Sequence, residues 1–250
     1  MMGPAPLAVT ALAAAPFVGS FVGLVADRLP RGETVLLGRS ACRRCDAALA
    51  ARDLVPFLSW LALRGKCRRC GTAIGWAPLA AELGALLVAL SAVLALPPGL
   101  ILPSCLLGWS LLGLALIDQA HLLLPDRLTI PVAVAGLAVQ GWWLGDVPRD
   151  GLLGLVFGAL SLAAIAQAYR ALRRRDGLGW GDVKLFAAGG AWVGWAGLPS
   201  VLLLAALIGL AAALAGGRTL SAASKLPFGP ALALAIWIVW LYGPLMPVMP

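Results

Sequence analysis

The chain has 250 residues, 61% of them hydrophobic and 12% charged, with a mean hydropathy of +0.94. A soluble domain is about half apolar and about a quarter charged, so an ordinary soluble fold is excluded and a chain that crosses a membrane repeatedly is expected. Runs such as "VLLLAALIGLAAALAG" at 201–216 do not alternate apolar with polar residues, which excludes a porin-like barrel and leaves helices.

Eight spans are predicted in chain order, at 5–26, 77–96, 100–117, 128–145, 151–169, 183–196, 199–215 and 228–248. No basic stretch precedes the first and a basic segment follows it, so a retained helix is expected there rather than a signal peptide. The sixth is short and glycine-rich, and is expected to be tilted or partly re-entrant. With the N-terminus outside, 18 of the 19 Lys and Arg fall on the inner side and only Arg149 on the outer. That asymmetry fits the positive-inside rule. It also accounts for the net charge of +8, so the basic balance is no argument for a nucleic-acid partner.

Residues 27–76 form the one long polar segment, an insert placed on the cytoplasmic side. It carries "CRRC" at Cys42 and Cys45 and again at Cys67 and Cys70, with 21 residues between the pairs. Four thiolates at this spacing suit a closed, tetrahedral structural zinc site. The flanking Arg43, Arg44, Arg68 and Arg69 are expected to favour thiolate, and a segment with so little core gains from a metal staple. A redox dithiol pair or unliganded cysteines are the alternatives. Cys105, inside the third span, reads as a small buried apolar residue.

Ionisable groups in or at the ends of spans are rare and mark function. They are Glu82, Asp118, His121, Asp126, Asp182, Lys184 and Lys225. Asp118 closes the third span in "LIDQAHLLLPDRLTIP" and Asp182 opens the sixth in "GLGWGDVK", both at one membrane depth by a topology drawn without them. Two carboxylates brought together in a poorly solvated site share a proton. One takes a proton from water while the other polarises a peptide carbonyl, which is aspartyl protease chemistry. Gly179 and Gly181 lack a Cβ, so an extended substrate can approach the backbone beside Asp182. The competing view makes Asp182 an N-cap. Asp126 after Pro125 reads as an N-cap ahead of a substrate contact, and His121 either tunes the pair or lies in an interfacial loop. Glu82 receives a substrate amino terminus or pairs with a lysine, and Lys184 and Lys225 neutralise carboxylates or snorkel. The tryptophans at 142, 143, 192, 195, 237 and 240 read as interfacial anchors. A proton-coupled transporter also uses intramembrane Asp, His and Lys, but the carboxylates lie at the membrane edge and no internal repeat is visible. An inactive zinc scaffold is a third reading.

In chain order, "GSFVGLVADRLP" at 19–30, the two "CRRC" pairs, "PFLSWLALRGKCRRCG" at 56–71, "IDQAHLLLPDRLTIP" at 117–131, "GWGDVKLFAAGGAWVGW" at 179–195 and "KLPFGPALALA" at 225–235 resemble the type IV prepilin peptidases. The Gly-x-Gly-Asp piece is also similar to that of presenilin-type intramembrane proteases. The resemblance implies a first transmembrane helix at 1–26, a zinc-binding insert at 27–76 and a seven-helix peptidase domain at 77–250, with Asp118 and Asp182 as the catalytic pair. It implies a multi-pass protein of the bacterial inner membrane with both termini periplasmic and the site facing the cytoplasm. Its substrates are prepilins or pseudopilins, cut after a Gly at the end of their short basic leader. The resemblance further implies N-methylation of the new terminus with S-adenosylmethionine. The chain departs from the family's pattern at Gly23 (usually Asn), Asp27 (usually Tyr), "ARDLVP" at 51–56 (usually like "WYDLIP") and "PLAAE" at 78–82, one residue longer than Pro-x-x-Glu. The cytoplasmic segment is the one usually linked to methyl transfer.

Overall fold

The computed structural model describes residues 4–35, 37–174, 178–215 and 227–245. Among them there is no strand, only isolated bridges at Ala41–Ala48 and Lys66–Ala73. The helices are α1 (Pro4–Arg28), α2 (Leu58–Ala62), α3 (Ala77–Ala95), α4 (Pro98–His121), α5 (Asp126–Leu144), α6 (Arg149–Arg173), α7 (Trp180–Ala215) and α8 (Gly229–Tyr242). Five of them, α1, α3, α4, α6 and α7, are long and apolar enough to cross a membrane. The predicted sixth and seventh spans are joined in α7, which breaks at Gly194, where φ is +71° and ψ 174°. A residue with a side chain is strained at that φ. The eighth span is a 14-residue helix as described, and its predicted end at 246–248 lies outside the described residues.

The chain forms two compact units, divided between Leu116 and Ile117. In the first, small residues carry the packing. Ala11 and Ala15 on α1 and Ala81, Ala85, Ala89 and Ala92 on α3 are fully buried. A Cβ at Gly19 would stand 2.6 Å from the Glu82 Cα. Helices in lipid gain nothing from burying leucine against leucine rather than tails, so close backbone approach through small residues drives their association. Trp109 of α4 donates its indole N–H to the Ala85 carbonyl at 3.0 Å.

In the second unit the same device joins α6 to α7. Gly151, Gly154 and Gly158 meet Ala191, Gly190 and Ala187 in turn, so the two helices run antiparallel. Trp192 is 1% exposed and donates to the Val132 carbonyl at 2.8 Å, with Trp240 edge-on at 5.1 Å. Trp237 is also buried. The anchoring role expected of Trp192 and Trp237 is therefore corrected to core packing, made possible for Trp192 by Gly136, where a Cβ would fall 2.6 Å from its ring. Trp142, Trp143 and Trp195 are exposed.

Candidate active site and metal centre

The metal centre belongs to the first unit. Each cysteine pair closes a tight knuckle, by Asp46 N–H to Cys42 O at 2.9 Å and by Gly71 N–H to Cys67 O at 3.0 Å. Both turns need a left-handed residue, supplied by Asp46 (φ +51°) in one and Gly71 (φ +69°) in the other. The four sulfur atoms of Cys42, Cys45, Cys67 and Cys70 lie within 4.8 Å of one another, and Cys42 Sγ is 3.7 Å from Cys70 Sγ. A tetrahedron of thiolates about 2.3 Å from a metal has edges of about 3.8 Å, so the donor set fits a metal ion.

The groups that favour thiolate differ from those expected. The hydroxyl and amide of Thr72 bring the Cys70 thiol down to about 6, and the amides of Arg44 and Cys45 lower that of Cys42. The first arginine of each knuckle instead binds carboxylates. Arg43 pairs with Asp27 at the end of α1 and, at 2.8 Å, with Glu33. Arg68 pairs at 2.8 Å with Asp53, whose side chain is 8% exposed. These guanidinium groups hold the Glu33 and Asp53 carboxyls below their ordinary range.

Glu82, in the first turns of α3 and 6% exposed, accepts the Phe57 N–H at 2.7 Å. Phe57 has φ +59° and ψ −54°, and the Leu58 N–H reaches back to the Pro56 carbonyl at 2.6 Å. That is the rare, strained γ-turn, and the buried carboxylate pins it. The residues alone do not signal this contact, because Phe57 precedes Glu82 by 25 positions.

The acidic pair lies in the second unit. Asp118 sits in the last turn of α4, 6% exposed. Its Oδ2 accepts the Gly229 N–H at 2.9 Å. Gly229 opens α8, and a Cβ there would stand 2.6 Å from that oxygen. Asp182 is the third residue of α7, 9% exposed. Its Oδ2 accepts the Gly179 N–H at 3.2 Å while its own N–H donates to the Gly179 carbonyl at 3.1 Å. Asp182 therefore stands within the first turn, where a carboxylate is favoured by the helix dipole, and not ahead of it as an N-cap. Both acids fall in the second compact unit. Among the described residues, each of these buried acids accepts from one glycine amide.

Around this pair, Gly181 packs on Leu124, where a Cβ would meet the leucine at 2.9 Å. Lys184 donates to both oxygens of Asp126, at 2.7 and 2.9 Å. Asp126 is the first residue of α5, and Pro125 holds the N-cap position with no side-chain cap. The capping role expected of Asp126 is thus replaced by an ion pair, because the fold brings a lysine to it. His121 is exposed at the end of α4. Lys225 lies outside the described residues. Gly229 was not singled out from sequence. Its one local signal is its place between Phe228 and Pro230, where Pro presets a helix start.

Comparison with known proteins gives concordant results. The model of the Bacterial Peptidase A24 N-terminal domain matches residues 14–96, and that of the Type IV leader peptidase family matches 105–214. The chain is 41% identical over 213 residues to a prepilin leader peptidase/N-methyltransferase of Aeromonas salmonicida, covering 84% of this chain and 73% of the relative. It is 42% identical over 211 residues to one of Burkholderia pseudomallei, covering 83% and 68%. With one of Pseudomonas aeruginosa it shares 36% over 254 residues, covering 90% and 87%. No solved structure matches. Two family models in tandem and relatives this similar over most of their length place the chain in the type IV leader peptidase family.

Proposed function

We propose that this protein is a membrane aspartyl endopeptidase that removes the basic leader of type IV prepilins and pseudopilins, with Asp118 and Asp182 as its catalytic pair. The observation that carries the assignment of the pair is that both acids are buried in one compact unit, each on a glycine amide. One carboxylate is ionised and draws a proton from a water. The other is protonated and hydrogen-bonds the scissile carbonyl as the oxyanion forms. The proton then passes to the departing amine. The pair titrates as a unit, so the roles are given to the two together. Gly179 is exposed, and the extended peptide lies along it, where no Cβ stands in the way, whereas the open side of Gly181 is taken by Leu124.

The topology has eight spans, counting both limbs of α7 together with α5 and α8. The protein lies in the bacterial inner membrane with both termini periplasmic and the acid pair at the cytoplasmic face, following the charge asymmetry of the loops. Residues 27–76 are the cytoplasmic insert and residues 77–250 the peptidase domain. The metal held by Cys42, Cys45, Cys67 and Cys70 is structural Zn²⁺, since four thiolates leave no open position for catalysis. The relatives' name includes N-methyl transfer, for which S-adenosylmethionine is the donor. The chain has no glycine-rich nucleotide loop to cradle that donor, and no step above runs through it. No support for the transport reading comes from the relatives, all of them named as peptidases.

The test is incubation of purified protein with a prepilin, followed by sequencing and weighing of the product. The expected product begins after the leader's Gly and, with the methyl donor present, gains the mass of one methyl on its first residue. Asp118→Asn and Asp182→Asn each reduce cleavage by about a thousandfold or more while the protein still inserts. Processing by either variant at the normal rate contradicts the assignment.

A further inference from the structure

The aspartates sit on different helices, and the segment that follows one of them is tied down around the other. Helix α4 ends at His121, and Leu122 turns the chain with φ +54°, its N–H on the Asp118 carbonyl at 2.9 Å. A leucine seldom adopts that conformation, so the surroundings must hold it. Two residues on, Leu124 fills the space left by the missing side chain of Gly181. Two residues further, both oxygens of Asp126 take hydrogen bonds from Lys184 Nζ. Gly181 and Lys184 flank Asp182 along α7. The segment thus leaves α4 one turn after one acid and closes on α7 either side of the other.

We propose that Leu122–Asp126 is a positioning strap, closed by the Asp126–Lys184 pair and the Leu124–Gly181 contact, that fixes the separation of the Asp118 and Asp182 carboxyls. The proposal rests on the reading of those two acids as the catalytic pair. It makes Lys184 and Asp126 positioning residues that touch no substrate. Their side chains are 50% and 53% exposed, so the pair adds little to global stability. Its value is geometric, because a displacement of about 1 Å at a two-group site costs on the order of a hundredfold in rate.

The test measures kcat and KM for prepilin cleavage, with melting temperature alongside, in Lys184→Met, Asp126→Asn, Lys184→Arg and the swapped pair Asp126→Lys/Lys184→Asp. Each neutral variant is expected to lose about tenfold or more in kcat with KM within about twofold and no change in melting temperature. Lys184→Arg and the swapped pair are expected to recover to within about threefold of the parent, which a residue acting on substrate would not do when its charge is reversed. The strap is overturned if Lys184→Met keeps the parent kcat, if it raises KM alone, or if the swapped pair is no better than the single variants. Cleavage by the parent and its loss in Asp118→Asn are scored in the same assay. Parent activity with normal rates in the pair variants removes the strap alone, whereas no cleavage by the parent removes the peptidase reading itself.

Discussion

At position 229 a hydrogen in place of a methyl group lets the backbone touch Asp118. The amide bonds the carboxylate at 2.9 Å, and a Cβ would come to 2.6 Å from the same oxygen, inside any real contact distance. Gly229→Ala therefore has to push Asp118 or the start of α8 away. Prepilin cleavage by Gly229→Ala is expected to fall by about tenfold or more, since Asp118 is one of the two acids proposed as catalytic and a small misplacement of such a group is costly. Cleavage at the parent rate would show that the amide contact does not set the carboxylate's position. Glu82 illustrates the other use of a buried carboxylate. It is spent on one backbone N–H in a strained turn, and an unpaired amide there would cost about 1–3 kcal/mol.

At the scale of elements, glycine decides how closely helices approach. On α6, Gly154 lies so near Gly190 of α7 that a Cβ would sit 2.2 Å from the Gly190 carbonyl oxygen. The obstacle is backbone rather than a side chain that can turn aside, so the helices themselves must separate. Gly154→Ala is expected to cost about 1–3 kcal/mol, as overpacking does. Thermal unfolding in detergent would report it as a drop of several degrees; an unchanged midpoint would mean that the two helices are not packed backbone to backbone. Gly194 acts differently. It breaks α7 at φ +71°, so one stretch of 36 residues serves as two limbs. The predicted spans at 183–196 and 199–215 put the division at 197–198 instead, just beyond that break.

At the scale of the whole molecule, the membrane-spanning helices and the polar insert rest on different forces. The helices pack through small residues, while the insert relies on its cysteine cluster and on ion pairs with Arg43 and Arg68. Glu33 and Asp53 have carboxyls held below their ordinary range in the folded state by those arginines. A depressed folded value gives stability that is present above the unfolded carboxyl's range, about 4, and is lost as pH falls through the folded value. The unfolding midpoint of the insert is therefore expected to be level down to about pH 5 and to decline below it. Asp53→Asn should show a shallower decline than the parent with its four cysteines intact, measured by scanning unfolding across acid pH. Equal slopes would mean that the Arg68 pair contributes nothing.

The sequence by itself determined that the chain is a helical membrane protein, that its charges lie mostly on one side of the predicted spans, that four cysteines are spaced for a metal, and that Asp118 and Asp182 stand at span ends in the family's ordered motifs. These follow from composition, run length and local spacing, which act within a turn or a loop of the chain. The tertiary structure alone decided which groups those residues meet. It set Gly229 on Asp118 across 111 positions and Lys184 on Asp126 across 58. It also buried Trp192 beneath the Val132 carbonyl across 60 and gave Glu82 to the Phe57 amide. An apolar helix reads much the same on every side, so its pattern cannot say which face will find a partner. Close backbone packing at glycines makes that choice, and it exists only once the helices have assembled.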